Sequence, residues 1–199
     1  MASRQVRRTE IMEAAIELFA RQGFHAAKIE DIAATAAIGK GTVYEYFPSK
    51  QHLFHDSLDY LLSLYNEGLA DALTEAAELG EGLRSFVDYQ MGAYERSVCL
   101  VQSLTAIPVS LTQELKLLWE RQQAETLSCL EDFLTRVLPK DVPLSRASYV
   151  SEAIVIYGAV NQYCLQRMLS GKLDEEDQKA LQSLVRTIEY GVRRGGASE

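Results

Sequence analysis

Ile38-Gly-Lys-Gly-Thr-Val-Tyr-Glu-Tyr-Phe-Pro-Ser-Lys50 decides how this chain of 199 residues is read. Val43 and Phe47, four apart, anchor one side of a short helix, and Lys40, Thr42, Tyr44, Glu45 and Tyr46 are presented around the rest. Pro48 stops that helix and Ser49 caps the next. A helix this short gains little from its own burial. Its hydrogen-bonding side chains are the kinds that reach phosphates and base edges in a DNA major groove.

The residues before it supply a support. Ile11, Ala14, Ala15, Leu18, Phe19 and Gln22 recur at three- and four-residue spacing, one stripe on a first helix. Gly23 ends that helix, since glycine adopts the left-handed conformation found just past helix termini. Ile29, Ile32, Ala33 and Ala36 line a second, two-turn helix, and a break at Ala37-Ile38 leads to the presenting helix. Two short helices joined by a tight turn on a first helix make a helix-turn-helix.

Arg8-Thr-Glu-Ile-Met-Glu-Ala-Ala-Ile-Glu-Leu-Phe-Ala-Arg-Gln-Gly-Phe24, Ile29-Glu-Asp-Ile-Ala33 and Lys40-Gly-Thr-Val-Tyr-Glu-Tyr-Phe-Pro-Ser-Lys50 together resemble the TetR family of bacterial transcriptional regulators, in order and at that family's spacing. The resemblance covers the first quarter of the chain. It implies an all-α fold: a three-helix helix-turn-helix DNA-binding domain over 1–49, then a helical ligand-binding and dimerisation domain over 50–199. Three positions depart from the family pattern. Ala37 stands where the turn usually has glycine, Gly39 where the recognition helix usually has a serine cap, and Ala27-Lys28 where the second helix usually follows Thr or Ser. Lys28, near that helix start, can instead meet a phosphate.

Carried over residue by residue, the resemblance places Lys40, Gly41, Tyr44 and Glu45 against base edges, and Thr42, Tyr46 and Lys50 on the DNA backbone. The chemistry agrees: Gly41 allows close approach, Lys40 can donate to guanine O6 or N7, and Lys50 adds charge near a helix N-terminus. Glu45 either accepts from cytosine N4 or is a solvated side chain. Tyr44 and Tyr46 either reach DNA or pack on the first helix. Arg4, Arg7 and Arg8 form either a minor-groove arm or a frayed basic end.

The net charge of −8 is unevenly spread: residues 1–55 carry +1 and residues 56–199 carry −9. An acidic body discourages non-specific sticking to nucleic acid while leaving the reader free to bind. With 47% hydrophobic residues, the chain can bury a sizeable core. It has no apolar run of membrane-spanning length, and its N-terminus is basic and polar. Cys99, Cys129 and Cys164 are scattered and odd in number, which reads as reduced thiols in a cytoplasmic protein. No metal or cofactor motif is present.

Beyond Ser49 the pattern is helical. A long helix from Lys50 has Leu53, Phe54, Leu58, Leu61, Leu62, Tyr65 and Leu69 on its apolar side and Gly68 as a soft point. Glu78-Leu-Gly-Glu-Gly82 reads as a break, with a helix from Leu83 to about Val98. Further helices are expected over 111–138, closed by Pro139, over 145–169, and from an Asp174 cap to Gly191. The 145–169 helix carries two apolar rows: Tyr149, Ala153, Ile156, Val160 and Cys164, then Ile154, Tyr157, Gly158, Leu165 and Met168. Two rows need two packing partners, either the chain's own core on both sides or a core and a second subunit. The family resemblance implies the latter, a homodimer through the last two long helices.

The resemblance also implies a small-molecule pocket in the second domain, for an effector the sequence does not identify. Phe86, Tyr89, Tyr94, Trp119, Gln123, Tyr157, Asn161 and Tyr163 combine aromatic surface with polar handles and are the candidate lining; the alternative for each is an ordinary core position. An all-α enzyme is the rival from another class. His25, His52 and His55 are the only histidines, so residues 56–199 hold no Ser-His or Cys-His pair and no histidine metal ligand. No catalytic residue is therefore expected. A DNA-binding dimer without a ligand is the third reading.

Overall fold

The computed structural model describes the backbone of residues 4–104, 109–138, 146–170 and 175–195, with side chains over 4–93, 113–138, 149–167 and 179–192. Among these residues the chain is all-α, with no strand: α1 Arg4–Ala26, α2 Ile29–Thr35, α3 Lys40–Tyr46, α4 Lys50–Thr74, α5 Leu79–Leu104, α6 Val109–Val137, α7 Arg146–Ser170 and α8 Glu175–Gly195. Contacts divide the chain into two compact units, Met1–Leu64 with Arg96–Gln122, and Tyr65–Glu95 with Gln123–Glu199. The first unit thus extends beyond residue 49, because Leu53 and Phe54 of α4 are buried in the same core as the helix-turn-helix.

In the first unit, Ile11, Ala14, Ala15, Leu18 and Phe19 of α1 meet Ile29, Ile32 and Ala33 of α2 and Val43 and Phe47 at α3. Gly23 breaks α1 at φ 78°, a value that favours glycine, and one more turn runs to Ala26. The α2–α3 turn is a Schellman closure: Ile38 N–H donates to Ala33 O (2.9 Å) and Ala37 N–H to Ala34 O (3.1 Å). That geometry forces Ala37 to φ 54°, the strained position expected from the sequence. Ala37→Gly should therefore raise stability by about 1 kcal/mol. An unchanged or lower denaturation midpoint would show that the turn carries no strain. Gly39 caps α3 without a side-chain bond, whereas Ser49 Oγ accepts from His52 N–H at 3.2 Å, fixing the start of α4.

The second unit is built around Leu69 and Leu73 of α4, Leu83, Phe86 and Val87 of α5, Leu130, Phe133 and Leu134 of α6, Ala153, Ile156, Val160 and Cys164 of α7, and Val185, Ile188 and Val192 of α8. Arg136 of α6 donates to the carbonyls of Leu73 (2.5 Å), Thr74 (2.9 Å) and Ala76 (3.0 Å), satisfying acceptors that the end of α4 leaves open.

The expected break at 78–82 lies instead at 75–78, and residues 79–82 form the first turn of α5, with Gly80 and Gly82 both buried inside the helix. Gly82 is where the Phe133 ring lies against the α5 backbone, so the missing side chain serves packing rather than a turn. Gly68 is likewise not a soft point. The Tyr89 ring covers it, and Tyr89 Oη donates to Tyr65 O at 2.8 Å. At the far end, α8 continues past Gly191 to Gly195. Pro139 and the Asp174 cap lie outside the described residues.

Of the two rows on α7, the first is core: Ala153, Ile156, Val160 and Cys164 are fully buried. The second row stands open, with Ile154 52% and Leu165 37% exposed beside Val150 and Val155, and a Cβ added at Gly158 would meet nothing within 4 Å beyond its own helix backbone. Tyr157 of that row is half-buried, and the Met168 side chain is outside the described set. Burial pushes the Cys164 thiol up to about 12 and raises that of Cys129, so both remain thiols at neutral pH. Cys99 lies outside the described side chains.

Candidate nucleic-acid interface

Val43 and Phe47, each 1% exposed, pin α3 to its support and leave its other face open. Lys40, Gly41, Tyr44 and Glu45 are all exposed on that open face, Tyr44 at 46%, and Lys28 is exposed at the start of α2. A Cβ at Gly41 would meet nothing, so this is a flat place where a duplex edge can approach closely. Thr42 and Tyr46 are half-buried at the margin. Among the described residues Glu45 has no bonded partner and stands in solvent.

Arg4, Arg7 and Arg8 are neither an arm nor a frayed end. They form the first turns of α1, each held by a neighbour. Arg4 lies 5.7 Å over the Tyr46 ring, Arg7 pairs with Glu10 at 2.7 Å, and Arg8 bridges to Asp56 at 2.5 Å while lying 4.9 Å over Phe47. The stretch 4–8 therefore braces the end of α3 against α1 and α4.

Lys50 has a job inside the domain. Its ammonium donates to Ala27 O at 2.9 Å and His25 O at 3.2 Å and sits 4.7 Å over the Phe24 ring, clamping the end of α1 to the start of α4. Burial draws its pKa below the ordinary lysine value. Lys50→Met keeps the stem and removes the clamp. It should lower stability by about 1–2 kcal/mol, as expected for charge-assisted bonds to two carbonyls. Thermal denaturation reads this directly; a midpoint equal to the parent's would return Lys50 to the role of a free phosphate-binding cation.

Lys40 is also engaged. Its Nζ lies 2.6 Å from Glu30 Oε1 on α2 and 5.9 Å from the Tyr44 ring centroid. The lysine beside it holds the Glu30 carboxyl below the usual carboxylate range, and Glu30 in turn raises Lys40. Sequence reading missed Glu30, although its place in the first turn of α2, two residues after Lys28, was visible.

The candidate pocket residues do not form one group. Phe86 is fully buried in the core of the second unit, and Tyr89, Tyr157, Asn161 and Tyr163 are half-buried against it. Gln123 is exposed, Trp119 is 59% exposed and belongs to the first unit, and the Tyr94 side chain is outside the described set. What joins the central members is a polar chain through the α4, α5 and α7 packing: Tyr65 Oη donates to Gln90 Oε1, Gln90 Nε2 donates to Asn161 Oδ1 at 2.6 Å, and Asn161 also bonds Tyr157. Burial raises the Tyr157 and Tyr163 hydroxyls. Gln90 is 8% exposed and was overlooked; a glutamine four residues after Phe86 on the buried side of α5 was the signal. Among the described residues, no three His, Cys, Asp or Glu side chains gather to hold a metal, and no helix is long and apolar enough to cross a membrane.

A helix-turn-helix with an exposed face of this composition defines a class of DNA-reading domain, and comparison with known proteins agrees. Residues 11–56 match the model of bacterial regulatory proteins, tetR family. The chain is 30% identical over 89 residues to the HTH-type transcriptional repressor NicS of Pseudomonas putida KT2440, covering 45% of this chain and 42% of that protein. The chain thus spans less than half the length of that relative. In fold it is similar to a proposed TetR-family transcriptional regulator from Mesorhizobium loti MAFF303099, with a TM-score of 0.74, 22% identity and coverage of 95% and 96% of the two chains. It is also similar to the transcriptional regulator FadR from Bacillus subtilis, solved in complex with stearoyl-CoA, with a TM-score of 0.64, 16% identity and coverage of 92% and 98%. Over residues 11–56, then, the chain is similar to the tetR family of bacterial regulatory proteins.

Proposed function

We propose that this protein is a transcriptional regulator of the bacterial cytoplasm, acting as a repressor rather than as an enzyme. It binds an inverted-repeat operator as a homodimer and is released by a small-molecule effector. The observation that carries this is the face of α3, where Lys40, Gly41, Tyr44 and Glu45 stand exposed over a helix held by Val43 and Phe47. In this reading Lys40 and Tyr44 contact bases, Gly41 permits the approach, Glu45 accepts from cytosine N4, and Lys28, Thr42 and Tyr46 meet the backbone.

Pairing through α7 and α8 is supported by the open apolar row of Val150, Ile154, Val155 and Leu165, 38%, 52%, 59% and 37% exposed. Two recognition helices so paired would meet half-sites about one helical turn apart, roughly 34–36 Å, or a multiple of it. Our reading puts the effector site at the Tyr65–Gln90–Asn161–Tyr157 chain, where polar groups inside an apolar core can exchange their bonds for a ligand's. FadR, with its stearoyl-CoA, shows that a protein of this fold can hold a small molecule. Residues of α4 belong to both units, so this helix is the element through which binding would shift the recognition helices. A swing from 1:99 to 99:1 in operator competence needs a ligand preference of about 5.5 kcal/mol between the two states.

Selection of bound duplexes from a random pool, with sedimentation of the protein alone, tests the reading. Enriched inverted repeats and a dimer are expected. A monomer that enriches no sequence at low salt would overturn it.

A further inference from the structure

We propose that Glu30 on α2 sets the sequence selectivity of DNA binding by occupying the ammonium of Lys40. This rests on the DNA-reading function proposed above. Lys40 is the first residue of α3 and follows a cap, Gly39, that contributes no side chain. A cation there lies at the positive end of the helix dipole, where an anion is favoured. Glu30 supplies one, its Oε1 2.6 Å from Lys40 Nζ and ten residues away along the chain. It does so from the first turn of α2, where a carboxylate is itself favoured and where Lys28 offers no side-chain cap. The two side chains are 57% and 50% exposed, so a duplex can reach both.

The consequence follows from counting charges and donors. On an arbitrary duplex Lys40 offers phosphate little, because Glu30 already balances its charge and itself repels the backbone. On a duplex that presents guanine O6 and N7 at this position, the ammonium keeps Glu30 on one of its three protons and donates the others to the base. Phosphate contacts are thereby discounted while base contacts are retained. Glu30 is then a positioning residue that lowers binding to wrong sequences more than to right ones.

The test uses the whole 199-residue chain against two labelled probes, a duplex recovered from the selection experiment and a scrambled duplex of the same length, each titrated across potassium chloride. Glu30→Gln should tighten binding to the scrambled duplex by about tenfold at low salt and steepen its log–log salt slope by about one unit per monomer. The operator should gain less, so the specificity ratio falls. Glu30→Gln with Lys40→Gln should return the scrambled-duplex behaviour to that of the parent. Asp31→Asn makes the same charge change on the neighbouring residue and should leave the ratio unchanged.

Equal effects from Glu30→Gln and Asp31→Asn would overturn the proposal, because net charge alone would then be responsible. So would a Glu30→Gln effect that persists without Lys40, or weaker binding to both probes with a lower melting point, which would make Glu30 a helix cap only. A parent protein that prefers neither probe defeats the DNA-reading function itself. A parent that discriminates, with an unchanged Glu30→Gln variant, defeats only the role of Glu30.

Discussion

Truncating Phe54 to alanine should destabilise the first unit by about 3–5 kcal/mol and abolish duplex binding. Phe54 is 1% exposed and sits where three rings converge. It meets Phe19 edge-on at 5.0 Å and 89°, and Phe24 at 5.0 Å and 63°, while Phe19 and Phe24 stack at 5.9 Å. These rings come from α1, from the turn just after its break, and from α4. Losing one removes buried apolar surface, leaves a cavity and ends two aromatic contacts. The recognition helix depends on this core because Val43 and Phe47 are buried in it, so DNA binding should fall with stability although Phe54 touches no base. Denaturant unfolding and duplex titration on the same sample check the link. Intact binding with a lowered midpoint would mean that α3 is held by its own short segment.

Gly82→Ala should destabilise the second unit by about 3 kcal/mol, against the usual sign of such a change. In a helix interior, replacing glycine with alanine normally gains about 1 kcal/mol from backbone entropy. At Gly82 the added methyl would overlap the Phe133 ring, itself only 2% exposed, so the ring must be displaced within a packed core. Gly191 provides the contrast, since a methyl there meets nothing within 4 Å and Gly191→Ala should be neutral or stabilising. Opposite shifts in the two melting points are expected; a gain at Gly82 would show that Phe133 repacks freely.

These contrasts mark what a local pattern conveys. The helix-turn-helix was legible because its signals are local: Val43 and Phe47 share a face by spacing alone, Ser49 caps the residue three ahead, and Gly23 and Ala37 sit where the chain must take a positive φ. Helix α6 was expected over 111–138 and runs Val109–Val137, because its apolar period is unbroken up to its end. The largest misreadings involve residues whose role is set by a distant partner. Gly82 looked like a turn until Phe133 of α6 was placed against it, and Gly68 looked soft until Tyr89 of α5 covered it. Lys50 looked like a free cation, yet its ammonium answers carbonyls more than twenty residues earlier in the chain. Trp119 and Phe86 looked alike as aromatic pocket candidates, but one is 59% exposed and the other fully buried.

Sequence alone determined the fold class, the position of the recognition helix and the face it presents, because helical periodicity, capping and turn strain act over at most a few residues. Tertiary structure alone decided which charges of the first unit are already answered, Lys40 by Glu30 and Arg8 by Asp56, and which polar groups join inside the second core, Gln90 with Asn161. Those pairings are between residues 10, 48 and 71 positions apart. Electrostatics and hydrogen bonding depend on distance in space, which spacing along the chain does not encode.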